Sequence, residues 1–221
     1  QLSRDGNEQD RYEGYLRWSP DSCYIGIVRR QQVDERRVHY VESSPPKQLQ
    51  PKSFTRVYAK PGDKIPTDTV HVFEAVKGGN HFTVDPALVK DPFETRELKW
   101  RPDSSGLLFE HIERGFGAHR VIEISVATGQ ARTLIDETAE TFVFVFGNSF
   151  RRDVNDLKEI IWRSERDGWN HLYLYDGVTG KVKNQITKGQ WVVREVVEVD
   201  EDKRQITFRA SGREPGQDPY Y

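Results

Sequence analysis

The chain has 221 residues, 35% hydrophobic and 31% charged, with 33 basic against 35 acidic side chains and a net charge of -2. That balance, with a pI near 6.4, excludes a general attraction to nucleic acid or to an anionic membrane. No run approaches the roughly 20 apolar residues that a spanning helix needs, the opening Gln1-Leu2-Ser3-Arg4-Asp5-Gly6 is no signal peptide, and a lone Cys23 excludes an intrachain disulfide or a cysteine-built zinc site.

A first unit is predicted from strands at 13–17, 24–30, 37–41 and 70–75. Its first two strands are joined by Trp18-Ser19-Pro20-Asp21-Ser22, where proline presets the turn and aspartate bonds its own backbone. Cys23 beside the second strand reads as a small core residue. Arg29-Arg30 and Arg36-Arg37 enclose Asp34 and Glu35, so they read as a solvated hairpin tip and not as a phosphate site. Residues 42–69 form an insertion whose Pro45-Pro46, Pro51, Pro61 and Pro66 exclude it from a central strand. Loops of this length tend to be functional or to dock elsewhere.

A connection from Asp85-Pro86 to Asp91-Pro92 leads to a second unit at 96–100, 106–113, 119–125 and 130–134, in which Trp100-Arg101-Pro102-Asp103-Ser104 repeats the first turn phrase. A third unit is predicted at 141–146, 159–164, 171–175 and 182–187. A second repeat links these two units: Thr128-Gly129-Gln130 and Thr179-Gly180-Lys181 stand 51 residues apart, each between strands, with glycine at the left-handed corner of the turn. A fourth unit opens with 191–199 and 204–210, and Tyr220-Tyr221 after Pro215-Gly216 reads as the start of another strand. Val121 and Leu172 are expected to face sheet interiors.

Four-stranded units recurring every ~40–50 residues indicate an all-β fold, a β-propeller. Residues 1–221 read as a segment of one propeller domain, with blades near 13–76, 96–135, 141–188 and 191–221 (the last incomplete) and an arm at 42–69. Closed propellers have about four to eight blades, so three and a half leave sheet edges exposed. The absence of Met and the opening Gln1 lead to the expectation of a piece of a longer protein.

Little in the chain suggests chemistry of its own. His39, His71, His81, His111, His119 and His171 show no His-x-x-x-His pair, so no metal or other cofactor is expected. Asp200-Glu201-Asp202-Lys203 lacks a calcium-loop pattern and reads as a solvated turn. Trp162, Trp169 and Trp191 read as blade-to-blade packing.

The phrase from Ile161 to Tyr173 (IWRSERDGWNHLY), with Ile186-Thr187-Lys188-Gly189-Gln190-Trp191-Val192-Val193, Gly14 to Asp21 and Lys60 to Pro66, resembles the N-terminal β-propeller of dipeptidyl peptidase IV-like serine peptidases, bacterial members above all. The resemblance implies an eight-bladed propeller joined to a C-terminal α/β-hydrolase domain. It implies release of N-terminal dipeptides with proline or alanine second, and a periplasmic or secreted location. Gly147-Asn148-Ser149-Phe150-Arg151 departs from the family's Gly-x-Ser-x-Gly elbow, so no nucleophile is expected, and the family's Glu-Glu anchor for the peptide amino group has no match. The piece itself is thus expected to be non-catalytic.

By the same resemblance, Phe144 or Phe146 is the candidate aromatic lining the substrate's second side-chain site, and the arginine that should follow is displaced to Arg151 or Arg152. Phe142, Phe144 and Phe146 equally fit one face of an ordinary strand. The family's extended arm implies dimer contact through Phe54, Val57 and Tyr58 in 42–69, with an intramolecular cover as the other possibility. A stand-alone propeller-type binding module, WD-repeat or TolB-like, is the alternative to an exopeptidase segment.

Overall fold

The structure is a computed structural model that describes residues 2–147 and 149–219. Gln1, Asn148, Tyr220 and Tyr221 lie outside the described residues, and with them the two tyrosines expected to open a strand. Among the described residues every regular element is a strand. The first sheet contains β1 (Asp10–Trp18) and β2 (Tyr24–Gln31); a separate ribbon of β3 (Arg37–Glu42) and β4 (Lys52–Val57) follows; β5 (Thr67–Glu74) and β6 (His81–Thr83) complete the first sheet in the order β1-β2-β5-β6. The second sheet is a meander of β7 (Pro92–Trp100), β8 (Gly106–Glu113), β9 (Ala118–Ser125) and β10 (Ala131–Thr138), and the third is another of β11 (Arg151–Val154), β12 (Glu159–Ser164), β13 (His171–Asp176) and β14 (Val182–Gln185). A two-stranded sheet, β15 (Val192–Asp200) and β16 (Gln205–Ser211), ends the chain.

The sheets stack face to face, and the alternation of side chains along each strand supplies two cores at once. Leu107 and Phe109 of β8 pack with Val28, Val70 and Val72 of the first sheet, while Leu108 between them packs with Ile160 and Trp162 of the third. In the third sheet Tyr173 and Tyr175 face the second, and Leu172 and Leu174 face Val193 and Phe208 of the last. Gly26 makes the closest approach possible: a Cβ there would lie 2.6 Å from Leu107 Cδ2.

The repeated phrases adopt repeated geometry. Ser22 N–H donates to Ser19 O and Ser104 N–H to Arg101 O, each at 2.9 Å, and Ser22 and Ser104 take φ of 60° and 62°. The second copy also latches onto the first, because Ser104 Oγ accepts from Asp21 N–H at 3.1 Å and Trp100 Nε1 donates to Arg17 O at 2.9 Å. The Thr-Gly turns match likewise, with Gly129 N–H to Ser125 O at 2.8 Å and Gly180 N–H to Asp176 O at 2.9 Å.

Four expectations are corrected. Residues 37–41 do form a strand, but it pairs with β4 in the ribbon, and the third strand of the first sheet is β5, whose apolar residues Val70 and Val72 fill the core as Val38 and Tyr40 do not. Residues 141–146 are an extended loop, since β11 takes the edge of β12 in the register Arg151↔Trp162 to Val154↔Glu159. Cys23 is exposed, because it belongs to the Pro-Asp turn, where its N–H donates to Asp21 Oδ1 at 2.9 Å. Arg29 and Arg30 are no hairpin tip but part of β2, paired with Asp10 and Asp68, both at 2.7 Å.

On the first sheet's other face His71 Nδ1 lies 2.7 Å from His81 Nε2, and His71 Nε2 lies 3.0 Å from Thr69 Oγ1. The Thr69 hydroxyl donates to Arg29 O at 3.3 Å, so it accepts from His71 Nε2–H, which leaves Nδ1 to accept from His81. Burial first, then the neighbouring His81 and Arg29, lowers the His71 pKa from 6.5 to about 4.

Two measurements follow from this packing. Val121→Lys and Leu172→Lys each put an ammonium where the native side chain is 0% exposed, and should cost about 3–5 kcal/mol, or ~10 °C of Tm, while Val182→Lys at an exposed edge leaves Tm unchanged. Unchanged melting of both core variants would overturn the assigned facing. A histidine with a lowered folded-state pKa contributes stability that is whole above pH 6.5 and drains as pH falls towards 4, because the unfolded chain takes up more protons in that window. Tm should therefore drop between pH 7 and 5, and drop less in His71→Gln; identical pH slopes would count against the pair.

Candidate functional site

Because consecutive strands are antiparallel, the connections alternate between two ends of the stack. One end holds the Pro-Asp turns, the Thr-Gly turns and the 155–158 turn; the other holds the β3–β4 ribbon, the 114–117 turn, the 139–150 loop and the 165–170 turn. The first end is tightly tied. Arg101 pairs with Glu123 and donates to Gly177 O at 2.7 Å in the neighbouring sheet. The second end carries the exposed phenylalanines.

There, five phenylalanines form a ridge. Phe116 sits in the β8–β9 turn at φ 60°, with its ring 5.0 Å from Phe93, 5.3 Å from Phe142 and 4.9 Å from Phe146; Phe144 lies 6.3 Å from Phe142 and 6.4 Å from Phe146. The period-two alternation of the 141–146 loop persists without a partner strand, and it points Val145 inward and the phenylalanines outward: Val145 is 3% exposed, Phe142, Phe144 and Phe146 are 44–50% exposed. The loop is anchored through Val143 N–H to Phe116 O at 2.7 Å and Ser149 Oγ to Val145 O at 3.2 Å. A contiguous exposed aromatic patch held by hydrogen bonds marks a binding surface more than a packing defect.

Beneath the ridge lies a pocket of about 390 Å³ lined by Phe142, Phe144, Glu137, Arg163, Ser164 and Asn170. Glu137 is its buried hub: it accepts from Ser164 Oγ at 2.6 Å, Arg166 at 2.9 Å and Trp162 Nε1 at 3.3 Å. Burial lowers the Arg166 guanidinium pKa, but the Tyr175 hydroxyl and Glu137 outweigh it and hold that pKa above the ordinary range. Next to this hub, His119 bonds Glu110 at 2.8 Å with Arg96 and Arg151 close by. Burial pushes the Glu110 carboxyl up, and the His119 hydrogen bond with the charges of Arg151 and Arg96 more than offsets it, leaving it below the usual range.

Ser149 spends its hydroxyl on Val145 O and accepts from Arg96 at 3.2 Å. Among the described residues no cluster of three metal-ligating side chains occurs. Of the sequence candidates, Phe144 and Phe146 meet in the ridge, whereas Arg151 is buried against Asp153 at 2.8 Å and Arg152 faces Glu201 at 3.7 Å, so neither arginine lines the pocket. Phe54, Val57 and Tyr58 lie on or beside the ribbon and are exposed. Sequence reasoning missed Phe93, Phe116, Glu137, Arg163 and Asn170. Only Phe116, between Gly115 and Gly117, carried a local signal.

A profile of the family described as "Dipeptidyl peptidase IV (DPP IV) N-terminal region" matches residues 8–221. The dipeptidyl peptidase 4 of Trichophyton equinum and that of Arthroderma otae are each 24% identical over 204 residues, 89% of this chain and 26% of theirs. The structure of Porphyromonas gingivalis dipeptidyl peptidase 4 superposes with a TM-score of 0.60 at 19% identity, covering 90% of this chain and 28% of that one. The chain thus spans about a quarter of the length of the curated relatives it matches. With a stack of four-stranded sheets, a repeated Pro-Asp latch and a family match that runs nearly end to end, the chain belongs to the dipeptidyl peptidase IV N-terminal region family.

Proposed function

We propose that this chain walls the substrate chamber of a serine exopeptidase that releases N-terminal dipeptides with proline or alanine second, admitting short or unfolded peptides to a C-terminal α/β-hydrolase domain. The family match over 8–221 carries the reading, and the exposed phenylalanine ridge supplies its location. In this reading Phe144 and Phe146 line the substrate's second side-chain site, and the chain contributes walls and contacts while the nucleophile comes from the hydrolase domain. The location is periplasmic or secreted. The β3–β4 ribbon is a dimer arm: Phe54, Val57 and Tyr58 are 44–51% exposed, and a two-stranded ribbon with free edges is suited to pairing with a second copy.

The full-length protein should release dye from a Gly-Pro chromogenic substrate, and replacing the serine of a Gly-x-Ser-x-Gly should abolish it; no turnover would leave a binding module instead. Phe144→Ala and Phe146→Ala should each raise KM about tenfold with kcat little changed, since an aromatic contact is worth ~1–2 kcal/mol. A kcat loss at constant KM would remove them from the subsite. For the arm, Val57→Asp with Tyr58→Asp should halve the mass seen by light scattering, and an unaltered mass would mean that the ribbon does not hold the dimer.

A further inference from the structure

The segment 141–147 has the alternation of a strand but belongs to no sheet, so the positions of its side chains must be set by bonds other than a ladder. In its first half Val143 N–H donates to Phe116 O at 2.7 Å. In its second half Val145 O accepts from Ser149 Oγ at 3.2 Å, across a turn in which Gly147 takes φ 71°. Val145 is buried between two exposed rings. A bond that holds its carbonyl holds the rigid peptide unit leading into Phe146 and the backbone next to Phe144.

Ser149 is itself held from a distance. Its Oγ accepts from Arg96 Nη2 at 3.2 Å, so one hydroxyl ties the loop to β7. Arg96 is fixed in turn by Glu110, which lies 3.4 Å from its Nε, and Glu110 is bonded by His119 Nε2 at 2.8 Å. Glu110 and His119 are both buried. Arg96 also stands at the start of a β-bulge: the register with β8 shifts between Arg96 and Lys99, and Glu97 takes φ 58°, a left-handed conformation uncommon for a residue with a Cβ. Bulges are characteristic of places where a strand re-aims a side chain beside a functional site.

We infer that Ser149, fixed by Arg96, is a positioning residue for the aromatic wall formed by Phe144 and Phe146. As a statement about substrate, this rests on the reading of this end as a peptide chamber. The chain of bonds runs from Glu110 to Arg96, Ser149 and Val145, and it ends one residue from each ring. The hydroxyl proton of Ser149 is spent on the loop, so the residue acts through the rings and not on the peptide.

The test is a double-mutant cycle on the full-length protein with a Gly-Pro chromogenic substrate. Ser149→Ala should raise KM about fivefold with kcat little changed, the worth of roughly one net hydrogen bond, while Ser149→Thr, which keeps the hydroxyl, should stay within about twofold of the unmodified protein. In a Phe144→Ala/Phe146→Ala background, Ser149→Ala should change KM less than about twofold. A residue acting by any other route would keep its effect once the rings are gone, so an undiminished effect there overturns the inference, as does a KM unmoved by Ser149→Ala.

A second readout needs no turnover. Chymotrypsin cuts after phenylalanine in a loosened loop, so nicking between Phe142 and Phe146 should be about tenfold faster in Ser149→Ala than in the unmodified protein or Ser149→Thr, at unchanged Tm. Arg96→Lys, which keeps a charge beside Glu110 without the forked donor, should nick as fast as Ser149→Ala. Nicking at the unmodified rate in either variant overturns the inference. Faster nicking in a protein that releases no dye keeps the tether and removes the exopeptidase reading; dye release with KM and nicking both unmoved by Ser149→Ala does the reverse.

Discussion

The rest of the structure depends on middle strands that are buried on both faces. Every residue of β12 is buried, and all but the last of β8 and β13. A sheet flanked by two others cannot assign one face to core and one to water; it must find apolar partners for odd and even residues alike. Leu107 and Leu108 are adjacent in sequence and belong to different cores. With each such side chain contributing roughly 1.5–3 kcal/mol, no single sheet holds together without its neighbours.

That constraint explains the placement of charge. Buried charge is costly unless paired, and Arg101 with Glu123, and Glu110 with His119, are such buried pairs. Both pairs lie within the second sheet; the tie to the next one is the Arg101 donation to Gly177 O in the turn after β13, at 2.7 Å. The Ser104–Asp21 latch does the same at lower cost, tying one Pro-Asp turn to the other. One end of the stack is therefore cross-tied, and the 139–150 loop, the arm and the phenylalanine ridge lie at the other.

At that end the pocket combines the outputs of both constraints. Its polar floor descends from β12 and the 165–170 turn, its hub from β10, and its aromatic wall from a loop that connects two sheets. None of these segments is close in sequence to all the others. The loop keeps a strand-like alternation yet finds no strand, so its large side chains face outward and its valine inward, the inverse of ordinary burial. An alternating pattern states which residues share a side; it does not state whether a partner strand exists. For the same reason 37–41 was legible as a strand and not as part of a ribbon, and Arg29 and Arg30 were legible as charged but not as paired with Asp10 and Asp68.

What the sequence by itself determined is what depends on neighbours along the chain. The Pro-Asp and Thr-Gly turns, the strand faces around Leu107, Val121 and Leu172, and the repeat that makes a propeller all follow from turn chemistry and period-two alternation acting over a few residues. Only the tertiary structure decided which edge each strand takes, that Phe93 and Phe116 join the ridge, and that Glu137, Arg163 and Asn170 line one pocket. Those outcomes depend on the stacking of sheets whose strands lie tens of residues apart, where pairing is set by competition for buried surface and not by local propensity.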